Sequence, residues 1–176
     1  MTDKRVSKRL ILQTLRPEQA ATLAQLGDDA VIAANTANMP SPYTEAIARD
    51  FIDRATQSGE TDQNIVFGIH LVDGTLIGVI NIRPHPRHRS GNIGYWIGAP
   101  FRGNGYATEA VRAMIDHGFE QLGLQRIHTS CFATNKASAR VLEKAGFKPE
   151  GQCREAFYKD GIFLDLLLYG LIRADH

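Results

Sequence analysis

The run Phe101-Arg102-Gly103-Asn104-Gly105-Tyr106-Ala107-Thr108-Glu109-Ala110 joins a strand-like segment, Asn92-Ile93-Gly94-Tyr95-Trp96-Ile97, to a long amphipathic helix. Behind it Ala107, Ala110, Val111, Met114, Ile115, Gly118, Phe119 and Leu122 recur at helical spacing and make one face apolar. A glycine-rich turn at such a junction leaves backbone N–H groups unpaired at a helix N-terminus, where the dipole is positive. That arrangement cradles a phosphate or diphosphate. Gly103 and Gly105 let the backbone approach the anion, and Arg102 adds a charge. Two standard phosphate motifs do not fit. Gly98 and Gly103 have P-loop spacing, but Asn104-Gly105 stands where Lys-Ser or Lys-Thr is needed. The dinucleotide fingerprint needs a third glycine where Thr108 stands. The competing reading is a glycine turn that merely connects strand to helix.

Upstream, Ile65, Phe67, Ile69 and Leu71 alternate, Asp73-Gly74 supplies a tight turn, and Leu76-Ile77-Gly78-Val79-Ile80 continues, a hairpin signal. Arg9 to Leu15 reads as a first strand, and Pro17 opens a helix running to about Gly27. A second helix is expected to start with Ser41 as N-cap and Pro42 in its first position, with Ala46, Ile47, Phe51, Ile52 and Ala55 as its apolar face. Downstream, Ile127 to Phe132 is a strand, Ala137 to Ala145 a helix stopped by Gly146, and the chain ends in a hairpin turning at Lys159-Asp160-Gly161, with Leu164, Leu166 and Leu168 alternating. Antiparallel strands leading into a β-α-β crossover call for an α+β (mixed α/β) architecture, with helices on both faces of a mixed sheet.

The 176 residues fit one domain, expected to span 1–176. At this size a chain buries roughly 70% of its unfolded surface without staples. Twenty Lys and Arg against nineteen Asp and Glu give a net charge of +1, no global field for gathering nucleic acid or anionic membrane. The polar N-terminus lacks a signal-peptide run, and no apolar stretch reaches the roughly 18 residues of a membrane span. A soluble cytoplasmic protein is the expectation, with Cys131 and Cys153 as two buried thiols.

Arg102-Gly103-Asn104-Gly105-Tyr106-Ala107 resembles the Gln/Arg-x-x-Gly-x-Gly/Ala signature of the GNAT acetyltransferase superfamily. The run from Asn135 to Phe147, with its Asn-x-x-Ser spacing and terminal Glu-Lys-Ala-Gly-Phe, looks like the second half of that fold and is most similar to its RimJ/RimL-like branch. The resemblance implies a GNAT fold: a mixed, mostly antiparallel seven-stranded sheet flanked by helices on both faces. It also implies an acetyl-CoA-dependent N-acetyltransferase, with acetyl-CoA as cosubstrate lying where the fourth and fifth strands splay apart.

Site roles follow from that resemblance. Backbone N–H groups of Arg102, Gly103, Asn104, Gly105, Tyr106 and Ala107 would hold the diphosphate, and the strand ending at Ile97 would pair with the pantetheine arm as an added strand does. In the family this strand carries a bulge that frees an N–H to polarise the thioester carbonyl, and Tyr95 holds the matching position. Asn135 would bond the coenzyme arm; capping the following helix is an equal and compatible role. Many GNAT enzymes place a tyrosine seven residues after this asparagine to protonate the departing thiolate. Here that position is Leu142, and the resemblance to RimL-like enzymes gives the role to Ser138, which would hydrogen-bond the sulfur or relay a proton; a small helix residue allowing close approach is its competing reading. Catalysis would be direct attack by the amine. Cys131 as an acetyl-carrying nucleophile is the rival, with nothing nearby in sequence to lower its pKa.

Tyr158, Glu155, His128 and Asp165 are candidate bases, each with a structural role as its competing reading. Glu109, in a first helical turn, reads as structural. The basic segment Arg83-Pro84-His85-Pro86-Arg87-His88-Arg89 reads as a solvated hairpin loop, and His85-x-x-His88 lacks the companions a metal site needs. The acceptor stays open between a small-molecule amine (amino acid, polyamine or drug) and a peptide such as a ribosomal-protein N-terminus, in a monomer or homodimer. A non-catalytic CoA-binding module is the rival from another class.

Overall fold

The computed structural model describes residues 5–57 and 64–176. Its centre is one eight-stranded sheet in the order β1-β2-β3-β4-β5-β6-β8-β7. The strands are β1 (Arg5–Val6), β2 (Leu10–Gln13), β3 (Ile65–Leu71), β4 (Leu76–His85), β5 (Ser90–Ile97), β6 (Arg126–Phe132), β7 (Lys148–Lys159) and β8 (Ile162–Ile172). Every neighbouring pair is antiparallel except β5 and β6. The strand beyond the expected seven is the two-residue β1, so the expected fourth and fifth strands are β5 and β6.

The helices are α1 (Ala20–Gly27), α2 (Ala30–Asn35), α3 (Glu45–Gln57), α4 (Tyr106–Asp116) and α5 (Lys136–Lys144). The main core, with Ile80, Ile82, Ile93, Val111, Met114 and Leu142, joins α4 and α5 to one face of the sheet. A second core, with Leu23, Ala48, Ile52, Val66 and Val79, joins α1 and α3 to the other. Covered on both sides, β3 is buried along Val66 to His70 instead of alternating. Gly74 turns the β3–β4 hairpin with φ 92°. No helix among the described residues is long and apolar enough to cross a membrane.

Several local expectations are corrected. Ser41-Pro42 does not open a helix. Tyr43 must first reach the core, where it is 5% exposed and its N–H bonds Asp28 Oδ1 at 2.9 Å. The helix follows, with Thr44 accepting from Ala48 N (3.0 Å, to its carbonyl) and Ile47 N (3.4 Å, to Oγ1). That start turns Ala46 outward and makes Ala48 the buried partner of Ile52. Helix α2 was not foreseen; Asp29 caps it, accepting from Val31 N (2.7 Å) and Ile32 N (3.0 Å). The basic loop is shorter than expected, because β4 runs to His85 and β5 begins at Ser90. Cys131 is buried, but Cys153 is exposed because it lies on β7, the sheet edge, open along most of its length. Leu164, Leu166 and Leu168 are only half-buried, and Leu167 on the opposite face of β8 is no more so.

Candidate active site

The turn from Arg102 to Ala107 takes the form its glycines dictate. Gly103 (φ 78°) and Gly105 (φ 79°) are left-handed, and Gly105 is the residue before the first helical one. The first amide of α4 to find a helical acceptor is Glu109 N, on Gly105 O at 3.2 Å. Among the described residues the N–H groups of Gly103 to Thr108 find no backbone acceptor, so a row of donors stands at the positive end of a helix. A Cβ at Gly103 would meet nothing within 4 Å, so the approach is open. These orphaned donors fit a diphosphate.

Glu109 holds this turn to the N-terminal strands, as its structural reading expected. It accepts from Ser7 Oγ (2.9 Å), Arg9 N (2.6 Å) and Arg9 Nε (2.8 Å). Burial acts to raise its pKa, but the bonds from Arg9 and Ser7 outweigh burial and hold it below the ordinary value. Arg9 also donates to Asn104 O (3.1 Å) and lies over the Tyr106 ring. Arg102 corrects an expectation. Its backbone N–H is engaged by Ala99 O (3.3 Å), and its guanidinium turns inward, with Nε on Ile97 O (3.0 Å) and an ion pair to Asp29 Oδ1 (3.1 Å). The strand-end carbonyl and the α2 cap thus take the charge assigned to the anion.

Beside this turn β5 and β6 separate. Their parallel pairing covers only Ser90–Asn92 with Arg126–His128. Gly98 N donates to Ile77 O (2.9 Å), and in an antiparallel ladder every second residue faces the same neighbour. The amides of Trp96 and Gly94 therefore face β4, and those of Ile97, Tyr95 and Ile93 face the gap that β6 leaves. Two bonds mark that side: Thr129 Oγ1 on Ile93 O (2.8 Å) and Arg102 Nε on Ile97 O. The bulge implied by the family resemblance is absent, since β5 pairs with β4 without a register shift from Gly78 opposite Ile97 to His85 opposite Ser90. Ladder parity and the departure of β6 aim the Tyr95 N–H into the gap without one.

An open cleft of about 1230 Å³ runs from the glycine turn past β5 to α5 and to the segment after α2. Tyr95, Ile97, Asn135 and Ser138 all line it, with Arg102, Gly103, Gly105, Tyr106 and Ala107 at the turn; Asn104 points its side chain back to Phe101 O (3.2 Å) and Arg102 O (3.1 Å). Asn135 caps α5, its Oδ1 accepting from Ser138 N at 3.1 Å. The Ser138 hydroxyl lies 2.9 Å from the Tyr95 phenol oxygen. Burial pushes the Tyr95 phenol up to about 12. Cys131 also lines the cleft, 7% exposed, and burial pushes its thiol up despite a bond with Ser138.

None of the four candidate bases lines the cleft. Asp165 accepts from Gln152 Nε2 (2.6 Å) and Glu155 N (2.8 Å), which fastens the irregular part of β7 where Glu155 has φ 49°. Tyr158 is exposed at the hairpin tip, its ring tilted against that of Phe163. His128 is half-buried on β6, its pKa lowered by burial and then by Arg126 and His85. No group of three or more potential metal ligands occurs among the described residues. Five cationic side chains, of Arg54, Arg83, Arg102, Arg140 and Lys144, line the cleft, and no carboxylate does among the described residues. Arg9, Arg140 and Lys144 were missed as site residues. The four-residue spacing of Lys136, Arg140 and Lys144 was the available signal: one basic stripe along α5.

Unpaired donors that fit a diphosphate, beside a strand whose inner edge is free for a peptide-like arm, suit coenzyme A on an acetyltransferase fold. The Acetyltransferase (GNAT) domain family matches residues 9–148, and the chain belongs to that family as an acetyl-CoA-dependent N-acetyltransferase. Among relatives, YdaF of Bacillus subtilis (strain 168), provisionally named a ribosomal N-acetyltransferase, is 31% identical over 97% of this chain and 95% of its own. The ribosomal-protein-serine acetyltransferase of Escherichia coli (strain K12) is 33% identical over 55% of each chain. RimL, a ribosomal L7/L12 alpha-N-protein acetyltransferase solved in complex with coenzyme A, shares the fold with a TM-score of 0.89 at 21% identity, over 99% of this chain and 100% of that one.

Proposed function

We propose that the enzyme acetylates the α-amino group of a protein or peptide N-terminus by direct attack on acetyl-CoA. The observation that carries this is the charge of the cleft: Arg140 and Lys144 of α5 line it, and among the described residues no carboxylate does. A polyamine or a polycationic drug would bring further positive charge to a lining whose described residues offer no carboxylate to pair it. The cations suit the phosphates of the coenzyme, and a single neutral amine on an otherwise uncharged chain meets no penalty. The lack of a carboxylate or imidazole among the described lining residues points the same way. An α-amine of pKa near 8 is neutral in about a tenth of molecules at pH 7, and a lysine amine in under about a thousandth. Proximity and carbonyl polarisation then suffice. The names of the ribosomal acetyltransferase relatives agree with a protein acceptor.

In this reading the free N–H groups of the glycine turn hold the diphosphate, and the inner edge of β5 to Ile97 takes the pantetheine arm. Asn135 bonds that arm through Nδ2, the Tyr95 N–H polarises the thioester carbonyl, and Ser138 hydrogen-bonds the leaving sulfur. Burial and a raised pKa leave Cys131 a poor nucleophile, which favours direct transfer. The test is a mass-spectrometric screen with acetyl-CoA over N-terminal peptides, free lysine, other amino acids and polyamines. Acetyl transfer to peptide α-amines at the highest kcat/KM is the expected result. Preferential modification of polyamines, or of lysine side chains, would overturn it.

A further inference from the structure

We infer that the Tyr95 phenol is a positioning residue: it donates a hydrogen bond to Ser138 Oγ and so aims the serine proton at the sulfur that leaves. The inference rests on the proposed role of Ser138 and goes beyond it, because Tyr95 has so far entered only through its backbone.

The two oxygens are 2.9 Å apart, and the Ser138 carbonyl is 3.5 Å from the same phenol oxygen, at the limit of a bond. Tyr95 is anchored on β5 opposite Ile80 and packed against the main core, while Ser138 sits in the first turn of α5. A phenol is a stronger acid than an alcohol, so the pair is satisfied with Tyr95 as donor and Ser138 Oγ as acceptor. The serine hydrogen must then point elsewhere, to the Cys131 sulfur it bonds or into the cleft that both residues face. Accepting one bond also strengthens the one the hydroxyl donates.

No proton leaves Tyr95. A phenol pushed up to about 12 by burial does not surrender its proton to a thiolate. During transfer the amine nitrogen bonds the carbonyl carbon, the carbon–sulfur bond breaks, and the electron pair stays on sulfur. The Ser138 O–H stabilises that charge, and the proton lost by the amine reaches sulfur or solvent through water. Tyr95 and Ser138 end as they began.

Tyr95→Phe removes one oxygen and keeps the ring, and acetyl-CoA affinity reports whether the site is still formed. Tyr95→Phe and Ser138→Ala are each expected to lower kcat about ten-fold with acetyl-CoA affinity within about two-fold of wild type. The double variant is expected to be no slower than Ser138→Ala by more than about two-fold. A second readout needs no turnover. A donor aimed at sulfur favours the thiolate, so wild-type affinity for free CoA, measured by calorimetry, should rise with pH toward the thiol's range, near 8.5 for an ordinary thiol. Both variants should flatten that rise, and acetyl-CoA, lacking a thiol, should show none. Full kcat in Ser138→Ala would sink the role of Ser138 itself. A slow Ser138→Ala beside a fully active Tyr95→Phe, or two effects that multiply, would sink the positioning role alone.

Discussion

Asn135 Oδ1 accepts the Ser138 amide at 3.1 Å, so the residue that caps α5 also fixes the backbone of the serine facing the cleft. With Oδ1 so engaged, only Nδ2 is left to donate to a ligand. Asp caps as well as Asn but has no N–H, which separates the two roles. Asn135→Asp should keep the melting temperature and lose acetyl-CoA affinity about ten-fold by calorimetry. Asn135→Ala should lose both, with about 1 kcal/mol of stability. Unchanged affinity in Asn135→Asp would leave the residue as a cap alone.

Gly103 and Gly74 share left-handed backbone, with φ 78° and 92°, and neither would place a Cβ within 4 Å of another atom. An alanine at either should cost about 1–2 kcal/mol from backbone strain. For a domain of this size that is a fall of roughly 2–8 °C in melting temperature. Only Gly103 stands at the row of free amides. Gly103→Ala should therefore weaken acetyl-CoA binding about ten-fold or more, with Gly74→Ala at wild-type affinity. Equal affinities in the two variants would count against the diphosphate cradle.

His70 is fully buried, with Nε2 2.7 Å from Gln19 Nε2 and Nδ1 3.1 Å from Gly68 O. Nδ1–H donates to the carbonyl and Nε2 accepts from the amide, an arrangement that only neutral imidazole completes. Burial lowers its pKa below the ordinary value. The unfolded chain therefore takes up a proton first as pH falls. The stability tied to neutral His70 is fully present above about pH 6.5 and is lost as pH drops through and below it. Denaturant unfolding at about pH 7.5 and about pH 5.5 should show that loss in wild type and a smaller one in His70→Gln. An equal loss in both would assign the acid sensitivity to other groups.

Features written in local spacing were legible in the sequence. The apolar face of α4, the turns at Gly74 and Gly161, the helix stop at Gly146 and the free amides after Gly103 each follow from a few neighbouring residues. Features made by distant packing were not. Ser41-Pro42 has the composition of a helix start, but the burial of Tyr43 delays the helix to Glu45. Arg102 has the position of an anion ligand, but Asp29, capping a helix that six residues barely announce, takes its charge. The phenol of Tyr95 and the hydroxyl of Ser138 meet only because α5 packs over β5, the two residues being 43 positions apart in sequence. The free inner edge of β5 depends on where β6 departs, which no motif within β5 records.

The absence of carboxylate and imidazole from the cleft lining, among the described residues, has a kinetic consequence. If no side chain takes the proton before attack, only the amine that arrives neutral reacts. The rate at low acceptor concentration should then follow the acceptor's own ionisation. For a peptide amine of pKa near 8, kcat/KM should rise about ten-fold per pH unit below that value and level above it. A peptide whose first residue lowers the amine pKa should shift the midpoint down by the same amount, because the midpoint belongs to the substrate. His128→Gln and Glu155→Gln should stay within about two-fold of wild type, since neither side chain lines the cleft. A midpoint that stays fixed while the acceptor pKa is varied would mean that the protein supplies a base after all. The same measurement would then locate it, as the variant that abolishes the fixed limb.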